Sequence, residues 1–297
     1  MLPVTLAVID VGSNSVRLLV AAVGDHGRLD EVRRERAYLR LGDDAYRYGR
    51  ISEEKLGEVE TVAARFARLA RRHRAEGLAV VVTAPGRQAE NADELVARLA
   101  TATNGRVEVL GAEEEGCLAW AGAVAGMDAD AGSVGVVDLG GGSLEIAVGT
   151  PGAGVDWVVS RDAGSLRVTR AFLGSQPSVG EAWAARDAIR GLLAGLEPPH
   201  VEHVLAVGGT ARAVARLLGK RFDADDLDDL VLRLVVNGVE RTIAGTAITP
   251  ERAETLLGGV LVLAEIADRF GRPLRVSRRG LREGAILALA REEALAA

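Results

Sequence analysis

Three short glycine-bearing turns are the segments of this chain whose residue types best suit chemistry. Gly12, Ser13, Asn14 and Ser15 make the first, Gly140, Gly141, Gly142 and Ser143 the second, and Gly208, Gly209 and Thr210 the third. Such a turn brings several backbone N–H groups and hydroxyls within reach of one anion, and the missing side chains let phosphate oxygens approach the main chain. The same sequences also suit plain hairpin turns with positive φ at their centre. The third also suits a tight strand-to-helix connection with Thr210 as N-cap, and a helix start of this kind is itself an anion site. Three glycine turns in one chain fit a polyphosphate ligand better than a single carboxylate.

Acids accompany the turns. Asp10 and Asp138 each stand two residues before a glycine turn, Glu145 follows the second, and Glu113, Glu114 and Glu115 open a helix. Two carboxylates about 4 Å apart repel by about 4 kcal/mol at an effective dielectric near 20, so converging acids require a cation or a proton. Mg²⁺ suits them, because it takes oxygen ligands and commonly joins one or two carboxylates to phosphate. An acid beside these that holds no metal suits general-base work. For Glu113 to Glu115 the alternative is acidic decoration of a helix N-terminus, which the macrodipole favours.

These residues need a scaffold, and the hydrophobic pattern supplies one twice. Two β-rich runs, 6–11 and 15–24, flank the first turn, and a third extended stretch covers about 31–41. Helical spacing follows from Ser52 to about Ala75, then a strand over 78–83, a helix over 91–102, a short strand over 107–110 and a helix over 113–123. The Gly- and Asp-containing stretch 126–132 has the composition of a hinge. The order then repeats: strands over 135–139, 143–149 and 155–160, helices over 165–173 and 178–196, a strand over 201–207 and a helix over 210–218. Helices over 225–236 and 250–270, a strand over 274–277 and a helix over 281–297 complete the chain. Laid on each other at an offset of 128 residues, Asp10 falls on Asp138, Gly12 on Gly140 and Ser15 on Ser143. Apolar Val8, Ile9, Val11, Val16 and Leu18 fall on apolar Val136, Val137, Leu139, Leu144 and Ile146. Two similar α/β lobes are expected, 1–125 and 126–297, with the paired turns across one cleft.

Composition narrows the function classes. The 297 residues are 48% apolar and 26% charged, ample for buried cores, and their number exceeds what one core usually serves. A net charge of −6 argues against nucleic acid or an anionic membrane as general partners. Lys55 and Lys220 are the only lysines among 36 basic residues, so the arginine count itself is discounted. The arginines at 269, 272, 275, 278, 279 and 282 are read as a solvated face, with a basic wall for a polyanion as the alternative. The single cysteine, Cys117, points to a reducing compartment. No apolar run reaches 18 residues, and the first nine residues carry no basic leader, so a cytoplasmic protein is expected.

Five runs carry a resemblance. AVIDVGSNSVRLLVAAV at 7–23, GAEEEGCLAWAGA at 111–123, VVDLGGGSLEIAVG at 136–149, AVGGTARAVARL at 206–217 and VSRRGLREGAIL at 276–287 resemble, in order, the exopolyphosphatase and guanosine-pentaphosphate phosphatase (Ppx/GppA) family. The resemblance implies two ribonuclease-H-like lobes around a central cleft, as in the actin-like ATPase, sugar-kinase and heat-shock-chaperone superfamily. It implies a Mg²⁺-dependent hydrolase that removes the terminal phosphate of inorganic polyphosphate, or of guanosine pentaphosphate, and it is compatible with a homodimer. Glu115 matches the catalytic acid that orients or deprotonates water, and Asp10, Asp138 and Glu145 match the metal-side acids. Arg17 and Arg87 match charge-neutralising positions, and the residues of the three turns match phosphate holders. The chain departs from the family pattern in the loop TAPGRQAEN at 83–91 and at Gly116 and Cys117. It also stops after two lobes, without the long members' helical extension, so what the resemblance implies does not extend to long-chain grip and processivity.

Overall fold

The computed structural model describes residues 3–24 and 27–296. The chain divides into two compact units, one built from 1–127 with 279–297, the other from 128–278.

In the first unit, strands β1 (Val4–Val11), β2 (Ser15–Val23) and β3 (Leu29–Tyr38) form a meander. Helices α1 (Leu41–Tyr48) and α2 (Glu53–Arg72) then lead to β4 (Gly77–Val82). Helices α3 (Ala84–Gln88) and α4 (Ala92–Thr103), strand β5 (Arg106–Val109) and helix α5 (Ala112–Val124) follow. The sheet order is β3-β2-β1-β4-β5, with β1, β4 and β5 parallel. Alternation along β1 sends Ala7, Ile9 and Val11 to a core with Phe66 of α2 and Leu95 of α4, and Leu6 and Val8 to the opposite core.

The second unit repeats this order. Strands β6 (Val134–Leu139), β7 (Leu144–Thr150) and β8 (Gly154–Arg161) precede helices α6 (Ser165–Phe172) and α7 (Val179–Leu192). Strand β9 (His203–Val207), helix α8 (Gly208–Leu218), strand β10 (Arg221–Phe222), helix α9 (Ala224–Val236) and two short helices, α10 (Val239–Ile243) and α11 (Pro250–Ala253), come next. Helix α12 (Leu256–Phe270) and strand β11 (Leu274–Val276) finish the unit. Its sheet order, β10-β11-β9-β6-β7-β8, reproduces the first with one added edge strand. Both units are thus ribonuclease-H-like α/β lobes. Helix α12 is buried without a break from Leu256 to Ala267, so it is the central post of this core rather than an amphipathic cover. Its one buried acid, Glu265, is answered by the equally buried Arg186 of α7, which also reaches Asp228 and, at 2.8 Å, Asp268.

Three departures from the sequence pattern have local causes. Helix α1 lies where only a strand end was expected, because its N-cap is Arg40 in the left-handed region (φ 54°) and no capping side chain marks it. The helix expected over 250–270 is broken at Glu254 and Thr255 into α11 and α12. The last helix, α13 (Leu281–Ala296), packs on the first unit, whereas the sequence placed it in the second lobe; its expected end, Ala297, lies outside the described residues. Helix α13 lies against α5, β1 and β2, with Leu281, Ala285 and Ile286 joining Leu6, Val8 and Leu19 in one core. Two glycines permit this. A Cβ on Gly284 would lie 1.9 Å from the Leu118 carbonyl oxygen, and one on Gly122 would lie 2.0 Å from that of Gly280. No described helix is long and apolar enough to cross a membrane.

The close crossing of α5 and α13 generates a stability prediction. Gly284→Ala inserts a methyl into backbone and should destabilise by about 3 kcal/mol, the upper end of overpacking costs. Gly57→Ala, in α2 with nothing within 4 Å of the new methyl, should instead stabilise by about 0.5–1 kcal/mol. Urea unfolding of the two variants checks both signs.

Candidate active site

In open α/β sheets ligands gather beyond the carboxyl ends of parallel strands, and the candidate residues of each unit lie there. In the first unit Asp10 and Gly12 end β1, Thr83 and Arg87 follow β4, and Leu110 and Glu115 follow β5. In the second, Asp138 and Gly140 end β6 and Gly208 ends β9.

The two hairpin turns share one construction. Gly12 N–H donates to the Ser15 carbonyl at 3.2 Å, and Gly140 N–H to the Ser143 carbonyl at 3.1 Å. Neither Gly12 nor Gly140 has positive φ, so the plain hairpin explanation of these two glycines does not apply. In the second turn the carbonyls are taken by α6. Ser165 N–H bonds to Gly140, Leu166 and Arg167 N–H to Gly141, and the Arg167 side chain to Gly142. A trans peptide sets N–H opposite to C=O, so the N–H groups of Gly141, Gly142 and Ser143 turn away from α6. The first turn is held likewise, with Gly42 N–H on the Ser13 carbonyl at 2.9 Å and Arg40 N–H on that of Asn14 at 3.2 Å. The Asn14 side chain is 4% exposed, and both its amide atoms are buried without a hydrogen-bond partner among the described residues. Leaving such a group unmet costs about 1–3 kcal/mol, which a ligand can recover. Ser13 and Ser15 are also buried; their hydroxyls accept from Tyr46 Oη at 3.2 Å and Arg17 Nε at 3.0 Å.

The third turn behaves differently. Gly208 has φ 96°, and a Cβ there would lie 2.7 Å from the Leu139 carbonyl oxygen and 3.2 Å from Asp138 Oδ1, so only glycine fits. The helix N-cap is Val207, not Thr210. Thr210 is fully buried; its hydroxyl meets Arg252 Nη1 at 3.5 Å, and its side chain packs on Gly259. Its hydroxyl is therefore engaged by the buried Arg252.

The acids separate by role. Glu113 and Glu114 are exposed, and Glu114 caps its own helix by accepting from Gly111 N–H at 3.3 Å. Glu115 is 6% exposed and is gripped by Arg87, whose Nη1 lies 2.8 Å from Glu115 Oε2 and also donates to the Leu110 carbonyl at 2.9 Å. The loop 83–91 supplies Arg87 from α3, and Asn91 in it is structural, bonded both ways to Ile51.

The duplicated hairpins carry opposite charge. Across β1, β2 and β3, Asp10 faces Arg17 and Arg17 faces Arg36. Across β6, β7 and β8 the equivalent row is Asp138, Glu145 and Ser160. Asp10 has Arg17 Nη1 at 3.8 Å. Glu145, 1% exposed, accepts from Ser160 Oγ at 2.9 Å and stands directly across from the half-buried Asp138. Like charges directly opposite on neighbouring strands are destabilising, and two carboxylates with oxygen donors suit a hard cation such as Mg²⁺. Asp10 lies in the other unit, and no cluster of three or more acid, His or Cys side chains able to hold a metal is present among the described residues.

Arg282, read from the sequence as one of a solvated row of arginines, is buried in the structure. It is 4% exposed in the first turn of α13, and burial, with Arg17 as the next cause, lowers its pKa to about 10. The solvated-face reading therefore fails at this position. Its neighbour Arg279 bonds instead to the Ala125 carbonyl, and Arg269 to that of Leu196.

Comparison with known proteins identifies the family. The model of the Ppx/GppA phosphatase family matches residues 19–293. The chain is 31% identical to exopolyphosphatase 2 of Mycobacterium tuberculosis, over 96% of this chain and 98% of that protein. It is 27% identical to exopolyphosphatase 1 of Mycobacterium leprae, over 95% and 88% respectively. The crystal structure of the Aquifex aeolicus Ppx/GppA family member superimposes with a TM-score of 0.82 at 27% identity, covering 98% of this chain and 99% of the other. With the family match running over nearly the whole chain and the same two-lobed fold beneath it, this protein belongs to the Ppx/GppA phosphatase family.

Proposed function

We propose that the protein is an exopolyphosphatase, releasing the terminal phosphate of inorganic polyphosphate by in-line attack of water. The observation that carries this reading is the construction of the two hairpin turns. In each turn the carbonyls are bonded to the following helix, so the N–H groups face the other way, and in the first turn the Asn14 amide is buried without a hydrogen-bond partner among the described residues. Preorganised donors of this kind stabilise charge that develops on a phosphoryl group without reorganising during reaction.

Glu115 is assigned as the group that orients and deprotonates the attacking water. Its carboxylate is buried and fixed by Arg87, so it is held in one place to orient the water. Arg87 and Arg17 supply positive charge to the phosphoryl oxygens. The turns at Gly12 to Ser15, at Gly140 to Ser143 and, through its backbone, at Gly208 hold the phosphates. Asp138 and Glu145 would hold Mg²⁺, which when bound supplies charge neutralisation to the phosphate chain. Asp10 orients Arg17. Among known relatives, two proteins named exopolyphosphatase support the choice of substrate.

The test is phosphate release from polyphosphate and from guanosine pentaphosphate in Mg²⁺ buffer and after chelation. We expect release from polyphosphate that chelation abolishes. Glu115→Gln should lower kcat by about 10²–10⁴-fold, the usual worth of a positioned acid–base group. Preference for guanosine pentaphosphate would reassign the substrate, and tight binding without release would make the protein a sensor. Asp138→Asn should raise the Mg²⁺ concentration for half-maximal activity by about tenfold or more, read from a Mg²⁺ titration of the same assay.

A further inference from the structure

The row that begins at Asp10 and Arg17 continues one strand further than the reaction requires. Arg36 on β3 is the direct cross-strand partner of Arg17 on β2, and two residues along, Tyr38 is the partner of Ser15. Cross-strand partners share a face of the sheet, so Arg36 lies on the face that carries Asp10, Arg17, Leu6 and Val8 and that α5 and α13 cover. Neighbouring strands are about 4.8 Å apart, which puts the β3 end of this row roughly 10 Å from β1.

Two guanidiniums directly opposite each other oppose folding unless something else benefits. The charges around Arg36 do not cancel this. Arg34, the nearby arginine of β3, is satisfied by Glu31 at 2.7 Å and by Glu283 of α13 at 2.8 Å. Asp10 serves Arg17 at 3.8 Å. Arg36 has the Tyr38 hydroxyl at 3.0 Å and stands over that ring at 5.6 Å, a neutral partner in both respects. Its pKa is lowered, first by burial and then by Arg17, as expected for a cation crowded by another. Arg36 nonetheless remains exposed enough to meet a ligand. A second multiply charged anion is the natural counterpart, and a chain whose terminal phosphate lies at the β1 turn extends further anionic groups beyond it.

We propose that Arg36, with Arg17 and the Tyr38 hydroxyl, forms a subsite for the non-terminal phosphates of the substrate and so sets its preference for chain length. This rests on the exopolyphosphatase reading of the same site. The subsite lies wholly within the first unit. An anion held there satisfies both arginines at once, and its grip scales with the number of phosphates that reach β3. Pyrophosphate, which spans little more than the terminal position, gains least.

Titration calorimetry on Glu115→Gln protein, alone and combined with Arg36→Gln, tests this with long-chain polyphosphate and with pyrophosphate as ligands. Arg36→Gln should weaken long-chain binding about tenfold or more, the worth of a charge-assisted hydrogen bond. Pyrophosphate binding should change by less than about threefold, Arg36→Lys should restore most of the loss, and the salt dependence of long-chain binding should flatten. In otherwise wild-type enzyme, Arg36→Gln should raise KM for long-chain polyphosphate more than it lowers kcat. Unchanged long-chain affinity, or equal losses for both ligands without rescue by lysine, overturns the subsite. Brisk phosphate release by Glu115→Gln alone would instead overturn the catalytic reading, so the two failures are distinct.

Discussion

The charge borne by one sheet row, used twice with opposite sign, is the constraint on which the rest of the structure depends. Both lobes place an aspartate at the end of the central strand, Asp10 and Asp138, and face it across the hairpin. In the first lobe the facing residue is Arg17 and in the second it is Glu145. One lobe is thereby left with an excess of guanidinium and the other with two carboxylates. The first calls for an anion and the second for a cation. The proposed metal–polyphosphate ligand would complement both, its phosphates the first row and its cation the second. Duplication of a fold gave two equal scaffolds, and a change of residue type at one register position made them unlike in charge.

The remaining architecture keeps those rows aimed and desolvated. Helices α6 and α1 take the carbonyls of the turns, which forces the N–H groups to the other side. Helix α3 delivers Arg87 to Glu115. Helix α13 returns to the first lobe and buries Arg282 beside Arg17, an arrangement that depends on two glycines allowing the backbones of α5 and α13 to touch. The roles proposed for these side chains therefore depend on the close backbone contact at Gly122 and Gly284. Loss of the α5–α13 crossing would loosen Glu115 on one helix and Arg282 on the other together.

Much of this was legible in the sequence, for physical reasons that differ residue by residue. The turns and the Asp10–Asp138 equivalence stand out because strand periodicity flanks them and side chains alternate strictly in β structure. Glu115 could be singled out from its two neighbours only by resemblance; burial and the Arg87 contact are what separate them in the fold. Helix α1 was hidden because a left-handed arginine, not a capping side chain, begins it. The allegiance of α13 was hidden because an apolar helix pattern does not say which core it joins. Thr210 looked like a cap or a phosphate ligand, yet the chain begins α8 earlier and that hydroxyl is engaged by the buried Arg252. Arg36 and Arg282 were masked by the abundance of arginine, and the opposition of Arg17 and Arg36 appears only once the β2–β3 register, with its irregularity at Val20 and Ala21, is known.

The central claim is that the outward-turned N–H groups of the two hairpins hold phosphate. Amide nuclear magnetic resonance on ¹⁵N-labelled Glu115→Gln protein addresses it most directly, by following Asn14, Ser15, Gly141, Gly142 and Ser143 as tripolyphosphate and Mg²⁺ are added. The account predicts large, saturable downfield proton shifts at these five amides. Saturable binding that leaves all five unmoved while shifts gather elsewhere would contradict it.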